Sequence, residues 1–280
     1  MLKKHHQDLS WDIDTSDESF YPGQAIPLIL RISNNGTGER SVFFGRGGIE
    51  AFSISIRDVN GTLITNSDRL QPSGFSESGI CRIATGSFSQ KSIVLNRWCS
   101  TLLMPGEYKV VCDIGYWLIS EVENHKLGPV HSISLELDIE IKPFDESGFR
   151  KKLEKLTEDV FESKIKTRND WNKKVLYEKM LALTESHLAI PHQLKLLKTT
   201  GTTWLKKDTI TSLVLSESVE AAEGLAHMVE SSERFNARDV KSYAVAAVYA
   251  LRESGKSDIL SATDDFVLKY PYPWRRASID

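Results

Sequence analysis

Nowhere in this chain do about 18 apolar residues follow one another, which removes an ordinary transmembrane helix from consideration. Cysteine is scarce. Cys81, Cys99 and Cys112 are an odd number in 280 residues, which suggests reduced thiols in a cytoplasmic protein more than a disulfide framework. A single Cys99–Cys112 bridge stays open for a matured secreted chain. The first ten residues hold no apolar stretch of the kind a secretory signal needs. An excess of one charge sign is also missing. The formal net charge is −3; residues 1–144 carry 13 Lys/Arg against 17 Asp/Glu, and residues 145–280 carry 22 against 21. Neither half has the positive surplus of a dedicated nucleic-acid binder, so no nucleic-acid partner and no membrane partner are expected.

The spacings that carry chemistry are lacking too. Zinc sites commonly place ligands as C-x-x-C or H-E-x-x-H, and neither occurs. His5 and His6 adjoin in what reads as a frayed start, while His125, His131, His187, His192 and His227 are scattered. There is no G-x-S-x-G elbow, and Cys99 beside Trp98 reads as a packed strand residue, not a nucleophile. Gly45-Arg46-Gly47-Gly48 lacks the Lys-Ser/Thr of a phosphate loop and leads into a strand, so it reads as a β-turn. The expectation is therefore no catalytic residue, no metal ligand and no cofactor.

What is present divides in two. Of 17 glycines, 13 precede residue 145, so the first half needs many chain reversals and the second few. Strand candidates in the first half are Ala25–Ile32, Ser41–Phe44, Phe52–Arg57, Thr62–Thr65, Ser92–Leu95, Tyr108–Ile114 and Ile133–Ile141. Asn60-Gly61 between Phe52–Arg57 and Thr62–Thr65 marks the clearest hairpin. In Ile133–Ile141 the residues Ile133, Leu135, Leu137, Ile139 and Ile141 share one face. About seven short strands between turn signals predict an antiparallel β-sandwich.

The period then changes. Phe149, Leu153, Leu156, Val160 and Phe161 fall at helical spacing. Further helices are predicted from near Asn169 through Leu183, from Ile190 with Pro191 in the first turn, and over Trp204–Leu215, Val219–Val229 and Val240–Leu251. Gly255 is placed to end the last of these, and Ser257 to cap a final helix through Ile259, Ala262 and Phe266. The expected fold is two-domain, all-β then all-α: a sandwich over 1–144, and over 145–280 an array of helical hairpins or a bundle. Only Asp145-Glu146-Ser147-Gly148 separate the last strand and Phe144 from the first helical stripe, and so short a link favours a fixed contact between domains.

Two resemblances add to this. Tyr21-Pro22-Gly23-Gln24, Ser33-Asn34-Asn35-Gly36, Arg57-Asp58-Val59-Asn60-Gly61 and Leu103-Met104-Pro105-Gly106-Glu107-Tyr108 resemble turn segments of bacterial immunoglobulin-like sandwiches, including the BsuPI type of intracellular proteinase inhibitor. The resemblance implies a fold, and none of these segments is a reactive site. Tyr108 stands four residues before Cys112, where antibody-like domains have two. Ser218–Leu225 and Asp239–Ala247 look like the small-residue helices of HEAT-type repeats, although no clean period is found.

Two surfaces are candidates for a partner. Lys195, Lys198, Lys206 and Lys207 with Trp204 offer a small basic surface for an acidic partner, against the reading that exposed lysines merely keep the chain soluble. Tyr270-Pro271-Tyr272-Pro273-Trp274-Arg275-Arg276 has the residue types of interface hot spots, against the reading that Tyr270 and Trp274 fold back onto the helical core. Together these features predict a non-catalytic protein-interaction protein, an adaptor or scaffold whose partner is another protein. The alternatives are an intracellular proteinase inhibitor, from the resemblance of the first half, and an enzyme with an unrecognised site at the domain junction.

Overall fold

The computed structural model describes residues 4–6, 8–44, 52–64, 80–98, 103–118, 130–231 and 238–271. The chain divides into two compact units, Met1–Asp145 and Glu146–Asp280. Strands fill the first and helices the second, a β-then-α layout.

In the first unit β1 (Lys4–His6), β2 (Leu9–Thr15), β4 (Pro27–Asn34) and β8 (Phe88–Val94) make a four-stranded antiparallel sheet in the order β1-β2-β4-β8. A second sheet runs β3 (Ser19–Phe20), β10 (His131–Ile141), β9 (Gly106–Leu118), β5 (Arg40–Phe43), β7 (Ile80–Ile83). β6 (Phe52–Asp58) also lies against β9, pairing its lower half while β5 takes Trp117 and Leu118. β9 organises this sheet because its side chains alternate strictly: Tyr108, Val110, Cys112, Ile114, Tyr116 and Leu118 are buried and the residues between them face outward or are half-buried. β10 matches it across eleven registered pairs, with Ile133, Leu135, Ile139 and Ile141 buried and Leu137 packed against the same core. One apolar cluster draws on both sheets, from Leu9, Trp11, Leu28 and Leu30 on one side to Ile54, Val110 and Leu135 on the other.

Turn chemistry sets these registers. The Asp58 carboxylate accepts the amides of Asn60 and Thr62 at 2.9 and 2.8 Å, and Gly61 supplies the left-handed φ of +79° that closes the hairpin. Thr65, placed by sequence in the returning strand, lies outside the described residues.

Several strands depart from the sequence expectation. The start is not frayed at Lys4–His6, which pair with Leu9–Trp11. β2 was missed, as were β3 and β7. The predicted Ser92–Leu95 strand instead begins at Phe88 and ends at Val94, because Leu95–Trp98 turn into a 3-10 helix.

The second unit comprises α1 (Glu146–Phe161), α2 (Arg168–Ala182), α3 (Ile190–Thr199), α4 (Thr203–Leu215), α5 (Val219–Glu230), α6 (Arg238–Glu253), α7 (Ser257–Ala262) and α8 (Asp264–Lys269). Pro191 sits in the first turn of α3, after a 3-10 turn at His187–Ala189. Gly255 follows α6 with φ +73°. The expected last helix is split into α7 and α8. Thr263, fully buried between them, gives its hydroxyl to the Ile259 carbonyl at 2.7 Å and takes a hydrogen bond from Arg252 Nη1 at 2.7 Å. Lys256, not Ser257, is the N-cap of α7, without a side-chain capping bond.

The helical core centres on α4, α5 and α6, with Leu213, Leu225, Val229, Ala244 and Val248 buried. A hydroxyl contact of 2.8 Å between Thr211 and Tyr243 ties α4 to α6. α5 lies against α3 so closely that a Cβ at Gly224 would stand 2.5 Å from Leu194 Cδ1. Gln193, buried in α3, donates its amide to the carbonyls of Leu181, Ala182 and Thr184 at 3.1, 3.3 and 2.8 Å. These carbonyls lie at and just past the end of α2, where the i to i+4 ladder stops, although Leu181 also accepts the Thr184 amide at 3.4 Å.

Candidate functional site

Of the residues that sequence weighed for chemistry, the described cysteines are buried and free. Cys112 is 1% exposed with a free thiol, so the Cys99–Cys112 bridge is not formed. Burial, with help from the Asp113 charge, pushes its pKa up to about 12, which keeps it a thiol and not a nucleophilic thiolate. Cys81 is also free and buried, and donates to Ser89 Oγ at 2.7 Å. His131 lies against Tyr116, ring centroids 5.4 Å apart. His192 has its pKa lowered by burial and by Lys195, with Glu154 opposing. Cys99, His125 and Gly45-Arg46-Gly47-Gly48 lie outside the described residues. Among the described residues no three His, Cys, Asp or Glu side chains gather into a metal-binding group, and no helix is long and apolar enough to cross a membrane.

The first unit concentrates its aromatic residues inside. Trp11, fully buried, meets Tyr116 at 4.6 Å and Phe44 edge-on at 6.2 Å, and Phe44 stacks on Phe52 at 5.5 Å. The Trp11 indole N–H finds no acceptor among the described residues. Buried area and contacts with Tyr116 and Phe44 hold the ring.

The basic surface drawn around Trp204 is differently arranged. Lys179, 7% exposed, places its ammonium 5.2 Å from the Trp204 ring centroid, so that ring serves a buried cation of its own unit. Lys195 stands 4.2 Å over Phe161, at the end of α1. Of the C-terminal segment, Tyr270 folds back: it lies 5.0 Å from Phe266, accepts from the Tyr249 hydroxyl at 2.8 Å through its carbonyl, and packs against the helical core. Residues 272–280, with Trp274, lie outside the described residues.

A feature that sequence reasoning passed over emerges at the turn between α1 and α2. The eight residues 162–169 are all exposed, and the turn carries Ile165, 44% exposed, with Trp171, 55% exposed, one helical turn further on. Between Glu162 and Lys174 the chain has five cations and two carboxylates. Lys164, Lys166 and Arg168 make no ion pair with any described residue. One of the carboxylates is committed to structure. Asp170 accepts the Thr167 amide at 2.8 Å, the Lys166 amide at 3.1 Å and the Thr167 hydroxyl at 2.9 Å, while Thr167 Oγ1 accepts the Asp170 amide at 3.1 Å. These bonds, the Thr167 hydroxyl foremost, hold the Asp170 pKa below its usual range.

This capping box holds the turn in one shape and explains why Trp171 is left outside. Such boxes often carry an apolar pair, the residue before the N-cap packing on the fourth helical residue. Here the fourth residue is Trp171, but the residue before the cap is Lys166. The indole thus has no apolar staple, and a large ring is left exposed in a stretch of chain rich in Lys and Arg. The sequence signal was readable: Thr167-x-x-Asp170 followed by Trp171 and preceded by Lys166.

No protein-family model matches the chain, and no curated protein matches it. Three solved structures resemble it at low level. A protein assigned as ApaA from Bordetella pertussis is 13% identical, with 48% of this chain and 91% of that one aligned and a TM-score of 0.29. A β-glucosidase from Kluyveromyces marxianus is 16% identical over 48% of this chain and 15% of that one, TM-score 0.20. The α-2-macroglobulin of E. coli is 11% identical over 94% of this chain and 21% of that one, TM-score 0.27. The chain spans about one seventh and one fifth of the length of the last two. At these TM-scores the likenesses carry no argument about fold or activity.

Proposed function

We propose that this chain is a non-catalytic protein-interaction protein, an adaptor or scaffold, made of an immunoglobulin-like β-sandwich and a helical hairpin array. The sandwich reading is supported by strand order: β4 in one sheet, β5 to β7 in the other, β8 back in the first, then β9 and β10 in the second, with β3 running parallel to β10. It is further supported by Tyr108 at the start of β9, whose hydroxyl donates to the Met104 carbonyl at 2.7 Å, the bond of a tyrosine corner. The large buried Trp stands on β2, and Cys112 is unbridged, so these two hallmarks of antibody domains are absent. The array reading draws on the small residues Ala221, Ala222, Gly224, Ala244 and Ala247 along α5 and α6. A cytoplasmic location belongs to the same proposal, supported by two buried free thiols.

One observation carries the functional part: a large aromatic ring left exposed in the first turn of α2, in a stretch of chain where Lys164, Lys166 and Arg168 make no ion pair with any described residue. Trp and Arg dominate interface hot spots, because they contribute most when a partner excludes water from them. Affinity capture with the intact chain from cells that make it tests the reading. One protein should copurify in stoichiometric amount and survive moderate washing. Capture of nothing beyond the resin background would sink the interaction reading.

A further inference from the structure

Resting on that reading, we infer that the α1–α2 turn docks an acidic segment of a protein partner that also presents an apolar side chain. The surface consists of Lys164, Ile165, Lys166, Arg168, Trp171 and Lys173, and its occupant follows from three features.

The first is charge. Lys164, Lys166 and Arg168 make no ion pair with any described residue, and Asp170 accepts both amides and the hydroxyl of the turn on its Oδ2, with Lys173 the cation that acts on its charge. A carboxylate-bearing partner meets cations that do not have to abandon another partner. The second is the mixture. Ile165 and Trp171 are apolar surface between the cations, and a purely ionic ligand leaves that surface wet. An acidic segment with a Leu, Ile or Phe satisfies both parts. The third is extent. Five cations lie within residues 162–174, and the rest of residues 145–280 holds 17 cations against 19 carboxylates. An extended polyanion, whether nucleic acid or an anionic bilayer, reaches beyond the screening length of about 8 Å at physiological salt and meets that remainder. Two apolar side chains are also little anchorage for a bilayer, where stable attachment takes stronger signals. A protein segment can match a patch this small.

The turn is preorganised for the contact. The capping box holds its backbone through four hydrogen bonds of 2.8–3.1 Å, so ordering cost on binding is confined to the side chains.

The test is selection of a random displayed peptide library on the immobilised intact chain. The best peptides are then measured by fluorescence anisotropy against wild type, Trp171→Ala and the double variant Lys166→Glu with Arg168→Glu. None of these substitutions touches Thr167 or Asp170, and circular dichroism with thermal melting verifies that each variant is folded. Selected peptides should be rich in Asp and Glu and carry Leu, Ile or Phe. Binding should weaken at least tenfold in each variant and fall steeply between 0.1 and 0.5 M salt, all order-of-magnitude expectations for a charged hot spot. Peptides without acidic bias, affinity unchanged in both variants, or no enrichment at all would overturn the inference. So would a thymidine oligonucleotide or phosphatidylserine vesicles that bind more tightly than the best peptide and displace it. If the copurified partner still binds Trp171→Ala in full, the turn is not the site while the interaction reading stands. If no partner copurifies from cells, the reading itself falls.

Discussion

Trp11 and Gly224 do the same job in the two units by opposite means. In the first unit the space between two sheets is filled by one of the largest side chains available, set against Tyr116 and Phe44. In the second, two helices meet where there is no side chain at all, so that Leu194 of α3 occupies the place a Cβ at Gly224 would take. Sheets pack about 10 Å apart and demand bulk between them, whereas helix axes approach to 8–10 Å only as far as the contact residues are small. The second unit also needs side chains to finish its helix ends, since each leaves carbonyls unpaired, and Gln193 serves α2 in this way. Large-to-small changes should therefore harm the first unit most, and changes of size or polarity at the helix contacts the second.

The largest expected effect is at Trp11. Trp11→Ala should cost about 3–5 kcal/mol, the range for removing a buried ring from a core that cannot fully collapse. Urea unfolding followed by near-ultraviolet circular dichroism measures it. A loss below about 1 kcal/mol would mean that aromatic bulk is not what holds the two sheets together. Next comes Gln193→Leu, which keeps the volume and removes the amide. It should cost about 1–3 kcal/mol, because the Leu181, Ala182 and Thr184 carbonyls lose a buried donor. An unchanged denaturation midpoint would show that these carbonyls find other partners.

Gly224→Ala sets two effects against each other. Alanine gains up to about 1 kcal/mol in helix propensity. Overpacking against Leu194 costs about 1–3 kcal/mol, so a net loss is expected. In a Leu194→Ala background the sign should reverse and the same substitution should stabilise. A loss of equal size in both backgrounds would show that the α3–α5 contact does not govern the site.

The smallest effect is at the α1–α2 turn. The folded-state pKa of Asp170 is depressed, so its contribution is present above the unfolded carboxyl value of about 3.9 and is lost as pH falls below it. Asp170→Asn should melt lower than wild type at pH 7, and the two curves should converge toward pH 3. Parallel curves across that range would mean that the carboxylate charge does not hold the turn.

Much of this was legible in local pattern. The alternation of Ile133–Ile141 and the helical stripes from Phe149 to Leu251 predict their elements because each is a period within one segment, whereas after the Asn60-Gly61 turn the described part of the expected strand Thr62–Thr65 is reduced to a single bridge between Arg57 and Leu63. The misses have physical reasons. β1 and β3 are three and two residues long, too short to show a period, and only their partners make them strands. β7 reads Ile-Cys-Arg-Ile, with Ile80 exposed and Ile83 buried, so its two largest apolar residues fall on opposite faces and hide the alternation. β2 does alternate through Leu9, Trp11 and Ile13, but Asp12 and Asp14, a residue type depleted in strands, lie between them. At the candidate surface, the capping box and the missing staple were readable. Which lysines stay unpaired was not.

By itself the sequence determined where the chain changes from strand to helix and which faces of β9, β10 and α6 are apolar. Those are properties of neighbours along the chain, set by side-chain period and local hydrogen bonding. Only the tertiary structure decided that Trp11 meets Tyr116, that Gly224 makes room for Leu194, that Trp204 receives Lys179, and that no ring or cation among the described residues stacks on Trp171. Each joins or separates residues that sequence distance does not order. The physical reason is that burial and charge pairing depend on what the rest of the chain brings alongside.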